Sequence, residues 1–138
     1  MSIIDFSKLA IGDKFYGIED VRDKISFAGV QEFEIIGFED PIYTIEKVKT
    51  KTALIKNVKT NKNTKLIFSS LNLDNIFSIC TEEDTVFVDN FYCTRDIDDA
   101  NMVAKECIRF LIDKADEEMK EQKSRLKELR KQLKDIDI

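Results

Sequence analysis

The sequence predicts an α+β protein: an N-terminal antiparallel β-core, barrel-like or a curved sheet, followed by one long or two consecutive C-terminal helices. Three observations carry this. Short runs of Val, Ile, Phe, Tyr and Thr alternate with charged residues up to about residue 95, the period of half-buried strands. No Gly or Pro follows Pro41, so nothing breaks a helix after Asp96. Beyond Asp96 the apolar residues recur at spacings of three and four. The 138 residues make a single domain with two unlike parts, a β-rich core over 1–95 and a helical, oligomerising segment over 96–138.

The elements follow in order. Ser2 to Leu9 is a short helix or an arm. Ile11-Gly12-Asp13 turns into a strand over Lys14–Ile18. Glu32–Phe38 is the next strand, and Glu39-Asp40-Pro41 a turn, since Pro presets φ and Asp bonds locally. Tyr43–Val48 and Thr52–Val58 read as strands. Thr60-Asn61-Lys62-Asn63 is the clearest hairpin, because Asn tolerates positive φ. Thr64–Ser69 returns as its partner. Leu71–Cys80 is a less regular apolar stretch, and Thr85–Thr94 is the last strand.

The helical segment starts at a cap on Asp96 or Asp98, with acids suited to the positive end of the helix dipole. Ala100, Val103, Ala104, Cys107, Ile108, Leu111 and Ala115 form one broad face for packing on the sheet. After Ala115 a narrow heptad seam takes over through Met119, Gln122, Leu126, Leu129, Leu133 and Ile136. The step from Ala115 to Met119 falls out of phase, which predicts a stutter, a kink or a break. A continuous helix over 99–134 spans about 54 Å. A core of this size has a radius of gyration of about 12–13 Å. The helix therefore overhangs, and its leucine seam predicts a homo-oligomer.

Composition excludes several function classes. There is no His, so Ser-His triads, Cys-His nucleophiles and most zinc-enzyme ligand sets are absent. Cys80, Cys93 and Cys107 show no metal or redox spacing and read as reduced cytoplasmic thiols. The glycines form no phosphate loop. Acid clusters at Glu82-Glu83-Asp84 and Asp96-Ile97-Asp98-Asp99 read as a loop and a helix cap. No catalytic residue, metal or cofactor is expected. No window is long and apolar enough for a membrane span, and no signal peptide is expected from the first residues, which have no basic start and no long apolar run.

The net charge of −5 is unevenly spread. Residues 44–67 carry seven Lys against Glu46, between flanks of net −5 and −7. This basic stretch reads as a strand edge studded with Lys against aggregation. Aromatic residues are scarce within it, so polymer nucleic acid is not the expected partner. A small-ligand site fits the strand-to-helix junction better. Phe91 supplies an aromatic face, Arg95 a cation, and Asn101 an amide beside free helix N–H groups.

A β-core, C-terminal helices and a Lys-, Ile- and Asn-rich chain look like small phage accessory proteins. The stretch Phe91-Tyr92-Cys93-Thr94-Arg95-Asp96-Ile97-Asp98-Asp99-Ala100-Asn101 resembles the phage Thoeris anti-defence proteins, which sequester cyclic ADP-ribose signals. That family places an aromatic residue and, ten residues on, an Asn in its pocket. The resemblance implies a cytoplasmic, oligomeric, non-enzymatic sponge in which Phe91 and Asn101 hold a cyclic nucleotide. It makes Arg95, Arg109 and Lys65 the candidates for its phosphates. The competing class is a protein–protein inhibitor of a host defence complex, such as an anti-CRISPR.

Overall fold

The computed structural model describes residues 3–39, 50–69, 74–81 and 89–136. Six strands close into an antiparallel barrel in which each pairs with its sequence neighbours and the last returns to the first. They are β1 (Lys14–Glu19), β2 (Gln31–Glu39), β3 (Thr50–Asn57), β4 (Asn63–Ser69), β5 (Ile76–Thr81) and β6 (Asp89–Thr94). One α-helix, α1 (Ile97–Ile136), follows. The expected strand over Tyr43–Val48 lies outside the described residues, as do Thr85–Val88 of the last expected strand. The stretch read as irregular, Leu71–Cys80, contains all of β5 but Thr81.

Alternation fills the interior. Phe15, Phe33, Ile35, Ala53, Ile55, Leu66, Phe68, Phe77, Ile79, Phe91 and Cys93 share one buried cluster. The N-terminal arm closes one end of it. Phe6 sits in a 3-10 turn (Phe6–Lys8) and is 1% exposed. Its ring meets Phe15, Phe77 and Phe68 at centroid distances of 5.0, 4.8 and 5.7 Å. Gly17 makes space on β1. A Cβ there would stand 2.7 Å from the ring of Phe33, which packs edge-on against Phe91 at 6.0 Å.

Turn chemistry agrees with the sequence. Asn61 takes a φ of 59° in the β3–β4 hairpin, and the Asn57 side chain accepts from the amides of Lys59 and Thr60. Gly12, at φ 96°, donates its N–H to Ile35 O at 2.8 Å. A bulge between Ile35 and Gly37 bends β2, as barrel closure requires.

The described part of the lysine-rich stretch, residues 50–67, needs a different explanation from an edge, and Lys47 and Lys49 lie outside the described residues. A closed barrel has no edge strand. Lys56 pairs with Glu34 at 3.7 Å and Lys65 with Glu39 at 3.1 Å, so two of these lysines answer acids of β2 on the outer surface.

The first turns of α1 lie against β1 and β6. Ile18, Val21, Ala100 and Ala104 are buried there, apart from the barrel cluster. Lys114 donates to the carbonyls of Arg22 and Lys24 at 3.4 and 3.3 Å and marks the end of this contact. Every residue from 115 to 136 is exposed, an overhang of about 33 Å. The helix runs unbroken through Ala115–Met119, so of the stutter, kink or break expected there, a break between two helices does not occur. The phase change has another cause: the stripe facing the barrel and the exposed stripe are two different faces of one continuous helix. No helix among the described residues is long and apolar enough to cross a membrane.

Candidate functional site

The junction between β6 and α1 is built on a polar relay. Asn75, ahead of β5, accepts the Ile4 N–H on its side-chain oxygen at 2.9 Å. Its amide nitrogen reaches the Tyr92 hydroxyl at 3.4 Å. That hydroxyl donates to Asp99 Oδ2 at 2.8 Å. The Asn75 carbonyl accepts the Cys93 N–H at 2.8 Å. One chain of bonds thus ties the N-terminal arm, β6 and the first turn of α1 together. Burial, Asp99 and Glu106 together hold the Tyr92 phenol above its ordinary range, with burial the largest cause.

Over this relay lies an open cleft of about 490 Å³, within the size range of small-ligand sites. Ile3, Ile4 and Leu9 give it apolar walls, and Lys8 and Arg95 give it cations. Its acids have separate roles. Asp5 accepts from the Ser7 hydroxyl and amide at 2.6 and 3.1 Å. Those bonds, with Lys8 nearby, hold its carboxyl below the usual range. Asp96 caps α1, accepting the Asp98 N–H at 2.9 Å. Asp99 is only 7% exposed, and its Oδ1 has no partner among the described residues. A buried carboxylate oxygen without a donor is costly.

The expected site residues do not converge. Arg95 lines the cleft. Phe91 belongs to the barrel cluster and packs on Phe33, so its ring faces are used inside the protein. Asn101 is exposed. It stands two residues beyond Asp99, roughly on the opposite side of the helix at 3.6 residues per turn. Arg109 is exposed further along α1, about 20 Å from Asp96. Lys65 is on β4, two strands round the barrel from β6, and is paired with Glu39.

Sequence reasoning missed the arm residues Ile3–Leu9, Asn75 and the Tyr92–Asp99 pair. The only available signal was Asn75 standing in an apolar stretch and needing a partner if buried. The Cys93 and Cys107 thiols are both held in their neutral form. Burial alone pushes Cys93 far above its ordinary range. Burial, then Asp20 and Glu106, raises Cys107. Glu82-Glu83-Asp84 lies outside the described residues. The cleft therefore supplies apolar walls from Ile3, Ile4 and Leu9 and two cations, Lys8 and Arg95, beside the acids Asp5, Asp96 and Asp99, which is equipment for holding a ligand.

No family model, curated protein or solved structure matches this chain.

Proposed function

We propose that this chain is a non-enzymatic binding protein that sequesters a small nucleotide signal at the β6–α1 junction and acts as a homo-oligomer. The observation that carries the reading is the cleft itself, where Lys8 and Arg95 share a lining with the apolar Ile3, Ile4 and Leu9. A nucleotide suits this lining: its phosphates match the two cations, and its base packs on the apolar walls. Phage anti-defence sequestration in the bacterial cytoplasm, with a cyclic ADP-ribose isomer as the signal, is the specific form of this proposal. Its ligand is bound by the cleft residues in place of Phe91 and Asn101.

The test is a thermal-shift screen with cyclic ADP-ribose isomers, ADP-ribose and cyclic dinucleotides, followed by calorimetry and chromatography of the recovered ligand. The expected result is a raised melting temperature with at least one of them and its recovery chemically intact. Turnover of the nucleotide overturns the non-enzymatic reading, and no shift with any of them overturns the nucleotide. A second reading, inhibition of a host defence complex by protein–protein contact, is favoured by the exposed apolar stripe of α1.

A further inference from the structure

The stripe is longer than its leucines. Ile108, Ile112, Met119, Leu126, Leu129, Leu133 and Ile136 are between 43% and 79% exposed. With Ala115 and Gln122 they recur at alternating spacings of four and three without interruption. This stripe lies roughly a quarter turn from the side that packs on the barrel. Nothing among the described residues covers it, and an isolated narrow-striped helix is marginal in water.

The charges around it are segregated along the axis. Residues 113–121 carry five acids and two bases, whereas residues 122–134 carry six bases and one acid. A parallel, in-register partner sets the basic half against itself, with Arg125 facing Arg130 of the other copy at the flanking positions. An antiparallel partner sets acid against base. Aligning Ile108 with Leu133, Ile112 with Leu129, Ala115 with Leu126 and Met119 with Gln122 covers the stripe from Ile108 to Leu133. The same alignment brings Asp116 beside Lys123 and Glu118 beside Arg125 of the second copy, two opposite-charge pairs against one like pair, Arg109 beside Arg130.

We propose that the exposed stripe of α1 is an antiparallel docking surface for the α1 of a second copy, which places the two barrels at opposite ends of a two-stranded coiled coil. This deepens the assembly part of the proposed function and leaves the ligand cleft independent of it.

Single-cysteine additions test it in the full chain, with the wild type as control for Cys80, Cys93 and Cys107. Ile112→Cys and Leu129→Cys proteins are mixed and oxidised, and Leu133→Cys is oxidised alone. Light scattering under native conditions is expected to give twice the chain mass of 16.0 kDa. The mixed pair should form a 112–129 disulfide, mapped by mass spectrometry, while Leu133→Cys stays unlinked. A 133–133 disulfide with dimer mass overturns the orientation and spares assembly. A monomer mass overturns both, and a trimer or larger overturns the two-stranded pairing.

Discussion

The Tyr92 hydroxyl donates to Asp99 Oδ2 at 2.8 Å, joining the last strand of the barrel to the first turn of the helix. Because Asn75 reaches the same hydroxyl and also holds the Ile4 N–H, this bond fixes the arm and the helix together around the cleft. Tyr92→Phe leaves Asp99 with less donation and Asn75 without that acceptor. The expected loss is about 1–2 kcal/mol of stability by urea unfolding, with faster amide exchange at Ile4. Unchanged stability and exchange contradict the relay's role.

Phe6→Ala opens the end of the barrel that three aromatic contacts close. A loss of about 3–5 kcal/mol is expected, against within about 0.5 kcal/mol for the exposed Asn101→Ala. Denaturant titration of both variants checks the contrast. A small loss at Phe6 means the arm is not part of the core.

Gly17→Ala places a methyl group 2.7 Å from Phe33. Overpacking of this kind costs about 1–3 kcal/mol. Phe33→Leu in the same chain should relieve part of it, giving a coupling measurable by a double-mutant cycle. Strict additivity of the two changes contradicts the contact.

Alkaline pH should destabilise the fold. Cys93 is fully buried and its thiol is raised by burial, so its contribution is intact below the unfolded thiol's pKa of about 8.5. Above that value the unfolded chain ionises while the folded thiol stays neutral. Stability therefore falls by about 1.4 kcal/mol per pH unit for this group, continuing until the raised folded value is reached. Cys93→Ala should flatten the slope between pH 9 and 10, whatever its effect on absolute stability. An equal slope in both proteins contradicts it.

Alternating apolar residues and the Asn61 hairpin made the barrel strands other than β5 readable, because a strand buried on one side writes its burial into a period of two. The helix was readable for the corresponding reason. Whether it was one helix or two was not readable: Leu111 and Ile112 are successive residues on adjacent stripes, and a one-dimensional spacing merges the two faces. The sequence left a barrel and a curved sheet both open, since the β1–β6 pairing that closes the barrel joins segments far apart in sequence. The site was least legible. Phe91 carries the same sequence signal whether its ring stacks on a ligand or on Phe33, and the arm's place against Asn75 depends on contacts across 71 positions.

The most direct test of the assembly is the mass in solution of the wild type and of a variant with Leu126, Leu129 and Leu133 all changed to Ser. Each leucine buried between copies contributes about 1.5–3 kcal/mol, and all three lie beyond the last contact with the barrel at Lys114. Light scattering should give a dimer for the wild type and 16.0 kDa for the variant, with the barrel still folded. A wild type of 16.0 kDa, or a variant that keeps the wild-type mass, contradicts the account.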